Sequence, residues 1–481
     1  MHTFRTARAI TAIALIAVAA IATTATATTA TASPLPPTPT SSQAATPSAT
    51  PRIAPPPAVP LPPELDSGFY HPPRSAYADL APGQIIAARQ ITAATLGLVP
   101  IAVDAWQVSY RSTNSRGEPI PAVTTLLKPR GTAGAPRKLV SMQIAEDSTA
   151  GYCAPSYAIQ QFSASQVAGQ VVFPLEMLVA EGFLSEGWAL SIPDHEGPDS
   201  AYGAGPLAGR IVLDGIRAGK NFSPLGVTAQ SPIGMYGYSG GAIATGHAAE
   251  VKQSYAPELN IVGAAEGGVP ADLRVVLQAA NNNVTSGLIL GAIVGLAREY
   301  PDFQRFLSRQ VNPLGQALIA GKSALCVQYQ SATLPFLNNI GLINWRGDPL
   351  NAPPVRAVFD ATQLGKSTPA MPMYIWNSAL DEIVPVSQVN QLVTGYCRDP
   401  QAEVTYTRDH LSEHVLAEIA GAPMAFLWLK DRLDGVPAHR GCTTTDQLSM
   451  TLNQQWWPVF TATVGTALGA LFGRAIGQSH L

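Results

Sequence analysis

Charged side chains are scarce in this chain. They make up 13% of its 481 residues, against roughly a quarter in an average soluble domain. The net charge is only -3, so there is no electrostatic footprint for nucleic acid or for an acidic surface. Cysteine is sparse as well: Cys153, Cys326, Cys397 and Cys442, none at C-x-x-C spacing. That spacing does not point to a zinc site, and no metal or organic cofactor is implied. What remains is a chain 46% hydrophobic, which predicts a large core and neutral or apolar partners.

The first residues read as an export signal. Arg5 and Arg8 form a positive start, Ala9 to Ala22 a short apolar run, and Ala30-Thr31-Ala32 an A-x-A cleavage pattern, placing the signal at 1–32. Cleavage after Ala27 is the alternative. Residues 33–63 hold 12 of the 42 prolines; such a composition predicts an extended spacer that cannot bury itself. In an exported chain, four cysteines predict two disulfides, with three connectivities open.

Residues 64–442 are expected to form one large domain. Segments such as "KLVSMQIA", "WALSIPD", "IGMYGY", "NIVGAAEGG", "MPMYIW" and "EVTYTR" read as strands, and helical patterns alternate with them. This predicts an α/β fold, a mostly parallel sheet covered by helices on both faces. The alternation breaks between about 269 and 354, where helical patterns dominate and suggest an inserted cap.

One short stretch carries chemistry. Gly237-Tyr238-Ser239-Gly240-Gly241 matches G-x-S-x-G between an apolar strand and a helix-forming run, the setting in which a sharp turn holds a serine out as a nucleophile. A serine needs a base, and the base needs an acid to orient it. The chain order Ser, acid, His points to Asp381 after "MPMYIW", with Glu382 beside it as the alternative. His414, beyond "EVTYTR", is the expected base; His410 is the alternative and His247 is read as structural. The tetrahedral oxygen would be held by the N–H of Gly240 and by the loop "AEDSTAGYCAPSY", where Asp147 is the expected donor. An ionised Asp147 carboxylate would repel that oxygen, so either the backbone N–H or a protonated carboxyl must act.

Together, "EDSTAGYCAPSY", "IPDHEGPDSAYGAG", "GYSGGAIATGHAAE", "DEIVPVSQ" and "SEHVLAEIAGAPMAFLWLKDRLDGVPA", in this order, resemble the secretory lipase family, the lipase-A-like triacylglycerol lipases of yeasts and actinobacteria. The resemblance runs from about Phe69 to Cys442. It implies an α/β-hydrolase core with a helical cap, a Ser239, Asp381, His414 triad, and Gly240 and Asp147 at the oxyanion. It also implies the pairs Cys153–Cys326 and Cys397–Cys442. The expected activity is hydrolysis of lipid or small carboxylic esters by a secreted or envelope-associated enzyme. Acyl transfer to an alcohol or sugar is the alternative, and a non-catalytic envelope scaffold a third reading.

Two apolar segments remain. "SGLILGAIVGLA" in the cap is apolar nearly all round, and Leu288 and Ile293 are expected to line an acyl-binding space. The tail, residues 443–481, carries glycines at 465, 469, 473 and 477, a ladder suited to close helix packing. It reads either as a peripheral membrane or envelope contact, or as a flexible or core-packed extension.

Overall fold

The computed structural model describes residues 53–131 and 136–477. The expected export signal and most of the spacer lie outside the described residues. An 11-stranded sheet runs through the protein in the order β1-β2-β5-β6-β8-β7-β9-β10-β11-β12-β13. The strands are β1 (Ile53–Ala54), β2 (Ile85–Gln90), β5 (Val103–Thr113), β6 (Pro119–Pro129), β7 (Leu139–Gln143), β8 (Ala189–Pro193), β9 (Ile233–Tyr238), β10 (Ile261–Gly267), β11 (Met373–Ser378), β12 (Glu403–Asp409) and β13 (Gly441–Gln447). A separate hairpin pairs β3 (Ala94–Thr95) with β4 (Val99–Pro100). β6 is antiparallel to both neighbours, and every pairing from β8 to β13 is parallel. β7, β8, β9 and β11 are buried at every position, as expected for strands covered on both faces, which read as runs rather than alternations.

Helices fill both faces. On one, Gly205–Asn221, Gly240–Tyr255, Pro353–Thr362 and Val386–Tyr396 pack Ile211, Ala248, Val355 and Leu392 against Val108, Met235 and Ile375. On the other, Val172–Ser185 and His414–Leu433 pack Phe183, Ala420 and Leu429 against Met142, Tyr236 and Trp376. Trp376 is the pivot of this second layer. Its Nε1 donates to Ala417 O at 3.2 Å, and a Cβ on Gly421 would lie 2.2 Å from that nitrogen, so the helix seats against the indole only because residue 421 is glycine. Between β10 and β11 runs a helical insertion with helices Leu273–Ala280, Ser286–Glu299, Pro301–Gln310, Pro313–Gly321 and Val327–Ala332. After the short 3-10 helices Ile340–Leu342 and Pro349–Asn351 comes Pro353–Thr362, which outruns the cap boundary expected near 354.

Both expected ends of the domain shift outward. β1 pairs with β2 at Ile53 and Ala54, and Pro63 is buried, so the last part of the Pro-rich segment lines the sheet edge. Proline is tolerated there because an edge strand needs hydrogen bonds on one side only. At the other end, residue 442 falls inside β13, whose partner is β12. Beyond it, the helix Trp456–Leu471 lies against Val172–Ser185 and His414–Leu433, and the buried Trp456 donates its Nε1 to Ala420 O at 2.9 Å. This helix thus packs on the domain through Trp456, Ala467 and Ala470, while Trp457, Leu468 and Phe472 stay exposed. Along the helix the glycine ladder does not make the contact, since a Cβ on Gly465 would meet nothing within 4 Å and one on Gly469 only Arg474; beyond the helix end, Gly477 is close-packed, a Cβ there falling 2.4 Å from Leu184 O. The close approach comes from Gly182 of the facing helix, whose Cβ would lie 3.3 Å from Thr463 Oγ1. Among the described residues, no helix is long and apolar enough to cross a membrane.

Trp456 is 4% exposed and Trp457 52%. Trp456→Ala is expected to cost about 3–5 kcal/mol in urea unfolding, while Trp457→Ala should stay within about 0.5 kcal/mol.

Candidate active site

β9 ends at Tyr238, and Ser239 turns the chain with φ +50° and ψ -117° into the helix Gly240–Tyr255. A residue with a side chain rarely adopts positive φ, and the strain holds only where the surroundings enforce it. Two glycines supply the enforcement by allowing close contact. A Cβ on Gly237 would sit 2.4 Å from Thr245 Oγ1, and one on Gly241 would sit 2.0 Å from Gln143 O, at the end of β7. Ser239 N also donates to Gly267 O at 2.9 Å, tying the turn to β10.

The expected acid and base come to this serine from the ends of β11 and β12, the second and third strands beyond β9. Asp381 follows β11, where its Oδ1 accepts from Ile383 N at 3.0 Å and Val384 N at 2.6 Å. Its Oδ2 accepts from His414 Nδ1 at 2.8 Å, and His414 Nε2 accepts from Ser239 Oγ at 2.8 Å. His414 opens its helix, which is capped by Glu413 through Leu416 N and Val415 N. Its backbone is held on both sides, with Tyr238 Oη donating to His414 O at 2.5 Å and Glu382 Oε2 accepting from His414 N at 3.1 Å. Burial pushes the imidazole pKa down. The hydrogen bond to Asp381 and the charges of Asp381, Glu382 and Asp147 outweigh it, so the net shift is above the ordinary value of 6.5.

The alternatives lie elsewhere or do other work. Glu382 touches the backbone of His414, not its ring. His410 is exposed and pairs through Nε2 with Asp446 Oδ1 at 2.7 Å. His247 is buried against Thr362 O at 3.0 Å, and burial lowers its pKa to about 4. Sequence reasoning missed the backbone hold by Tyr238 and Glu382. Both sit inside motifs already singled out, next to Ser239 and Asp381, and that adjacency was the available signal.

Asp147 leaves β7 at φ +44°. A Cβ on Gly240 would fall 1.8 Å from Asp147 Oδ1, so the carboxyl lies against the first residue of the helix, where backbone N–H groups have no intrahelical acceptor. That oxygen is buried without a partner. Burial pushes Asp147 up to about 6, against the opposing pull of His414 and of hydrogen bonding from Tyr202. Glu146, Asp194 and Glu196 are buried around the same loop, and burial raises all three, Asp194 to about 7.

The cap is pinned to this loop. Cys153 is bonded to Cys326, and Arg298 Nη1 donates to Thr149 O and Asp199 O, each at 2.8 Å. The second bond joins Cys397 to Cys442. Leu288 and Ile293, expected to share one space, face different ones. Leu288 packs with Tyr202, Val327 and Ile383 on the side of the serine loop. Ile293 borders an apolar cavity with Leu273, Leu277, Leu307 and Phe359. Five residues advance a helix by about 500°, so the two side chains point about 140° apart.

The model of the family described as "Secretory lipase" matches residues 161–441. Lipase A of Arthroderma benhamiae is 34% identical over 430 residues, 87% of this chain and 90% of that one. This chain belongs to the secretory lipase family. A protein of Mycobacterium tuberculosis named as a probable inactive lipase is 36% identical over 384 residues, 79% of this chain and 85% of it. Among solved structures, Candida antarctica lipase A matches with a TM-score of 0.77 at 30% identity, over 87% of this chain and 98% of that one. The fold is thus the α/β-hydrolase fold with an inserted helical cap, and the family is one of carboxylic ester hydrolases.

The reactivity of Ser239 tests the geometry without a substrate. A fluorophosphonate should label it, and His414→Ala or Asp381→Asn should slow labelling by about 10³–10⁴-fold. His410→Ala should leave the rate within about 2-fold, as expected for an exposed residue away from the site.

Proposed function

We propose that this protein is a secreted triacylglycerol lipase in which Ser239 is the nucleophile, His414 the general base and Asp381 its orienting acid. The observation that carries the reading is the pair of 2.8 Å hydrogen bonds linking Ser239 Oγ, His414 and Asp381. It bears on activity because one relative is named as a probable inactive lipase, whereas this chain keeps the whole proton path within hydrogen-bond distance. Relatives named as secreted triacylglycerol lipases from Malassezia and two disulfides support an extracellular location.

The chemistry follows from the geometry. Ser239 Oγ attacks the ester carbonyl carbon while its proton passes to His414 Nε2, and the carbonyl π electrons move onto oxygen. Asp381 stabilises the imidazolium without taking its proton. The backbone N–H groups of Gly240 and Asp147 hold the oxyanion, at the start of a helix whose dipole favours negative charge. Collapse expels the alcohol, which leaves with the proton from His414. Water, deprotonated by the same nitrogen, then attacks the acyl carbon, and the second collapse releases the acid while Ser239 Oγ takes the proton back from His414. Burial raises the Asp147 carboxyl only to about 6, so it is ionised where His414 is neutral, and the reading rests on its backbone N–H rather than on a protonated carboxyl.

The apolar cavity beside Ile293 suits the distal part of an acyl chain. Ile293→Trp should shorten that space. At roughly 0.8 kcal/mol per methylene, excluding three methylenes would lower the rate on long-chain glycerides by roughly 50-fold while acetate esters stay within about 2-fold. Equal losses on both would remove the cavity from the reading. Hydrolysis rates across esters from acetate to long-chain glycerides, with Ser239→Ala as the control, test the activity as a whole.

The pH profile tests the electrostatics. The base must be neutral, so kcat/KM should fall as pH drops through the His414 pKa, placing the acid limb above 6.5. The Asp147 charge is one of the influences raising that value. Asp147→Asn keeps the backbone N–H and removes the charge, so the acid limb should move to lower pH; a limb that stays in place would contradict this coupling.

A further inference from the structure

On the sheet face covered by Val172–Ser185 and His414–Leu433 lies a second apolar space, an open groove. Its walls come from Val172–Ser185, His414–Leu433 and the tail helix Trp456–Leu471, chiefly Leu178, Ile419, Phe426 and Phe460. The tail helix lies beyond the 161–441 span of the family match, so one wall of the groove is built by sequence outside that span. Among these apolar side chains stands one carboxyl. Glu418 is 5% exposed, borders the groove, and has no hydrogen-bond partner on Oε1. Glu176, also fully buried, uses Oε1 to accept from Ala145 N at 3.0 Å and leaves Oε2 unpartnered. Buried polar atoms are ordinarily satisfied, and one that is not calls for a partner. An apolar trough bordered by the one incompletely satisfied carboxyl of Glu418 lacks two things, a hydrocarbon to fill it and a hydrogen-bonding head.

We propose that this groove is a second ligand site, distinct from the ester site, which binds a neutral long-chain alcohol with its chain along the apolar walls and its hydroxyl on Glu418. Charge selects the head group. Burial pushes Glu418 up to about 7 against the pull of His414, and burial with the charge of Glu418 raises Glu176 well above the carboxylate range. At mildly acid pH both are neutral, and a neutral carboxyl can donate to and accept from a hydroxyl. A fatty carboxylate would bring a further acid into the same dry space, and an alkylammonium would force a buried carboxyl to ionise. Glu418 lies one turn along the helix from His414, so an occupant rests on the element that carries the base.

The test uses the full chain with Ser239→Ala, its active-site mouth intact, at pH 6, with 1-dodecanol as the probe in calorimetric titration. Saturable one-to-one binding is expected. Thr463→Trp, which fills the groove from the tail helix, should weaken it at least 10-fold, with folding checked by circular dichroism. Glu418→Leu should abolish the preference for 1-dodecanol over dodecane. A diazirine-bearing dodecanol gives a readout that needs no groove variant, and should label peptides from 172–185 and 456–471. Labelling confined to the cap or the Ser239 loop would assign the alcohol to the ester site and overturn the proposal, as would the absence of saturable binding. Dodecylammonium binding more tightly than dodecanol would overturn the neutral head group. Because Ser239 is absent throughout, a loss of binding here leaves the hydrolase reading untouched, and loss of ester hydrolysis leaves this one untouched.

Discussion

Everything at the candidate site depends on how closely the helix Gly240–Tyr255 approaches the end of β7. The backbone at 241 passes so near Gln143 O that a single Cβ would overlap it. That contact sets the height of Ser239 above the sheet and brings Asp147, the next loop residue out of β7 but for three, against Gly240. A helix standing off by even the width of a methyl group would pull the serine turn away from the Asp147 loop. The strain at Ser239 is held by packing on three sides: β7 through Gly241, β10 through Gly267 O, and the helix itself through Thr245.

The histidine is positioned by a different principle. Ser239 is fixed by contact, whereas His414 is fixed by hydrogen bonds to both its ring and its backbone. Asp381 fixes the tautomer by accepting from Nδ1, so that Nε2 is free to accept from the serine. Tyr238 and Glu382 hold the carbonyl and the N–H of the same residue. Each comes from a residue beside another member of the site, so the three loops hold one another in register.

The central strands and the Ser239 turn were legible from sequence because their signals are local. An unbroken apolar strand, a G-x-S-x-G and a helix-forming run lie within a few residues of one another. β5 and β13 were not legible, for different reasons. β5 buries Gln107 and Ser109 in its middle and Ser112 near its end, so no apolar run marks it. β13 is a half-exposed, threonine-rich edge strand whose only credential is its partner β12. The choice of His414 over His410 also could not rest on local pattern, because it depends on which way the loop after β12 turns. The backbone N–H groups of Leu411 and Ser412, both accepted by Asp409 Oδ1, make that turn. The divergence of Leu288 and Ile293 was readable from helical geometry, but assigning each to a space required knowing which elements the helix meets.

The position of β13 in the chain has a consequence for timing. The loop carrying His414 is braced from behind by sequence that follows it. Asp409 Oδ2 accepts from Met450 N, Arg408 and His410 pair with Asp446, and Cys442 is bonded back to Cys397. A chain emerging from a ribosome or a translocation pore in N-to-C order therefore completes its serine turn long before it can brace its histidine. Until the final residues are delivered and the thiols oxidised, the polypeptide holds an unfinished reaction centre. Assembly of the candidate centre therefore waits on residues that follow it in the chain, and on a disulfide that needs an oxidising environment.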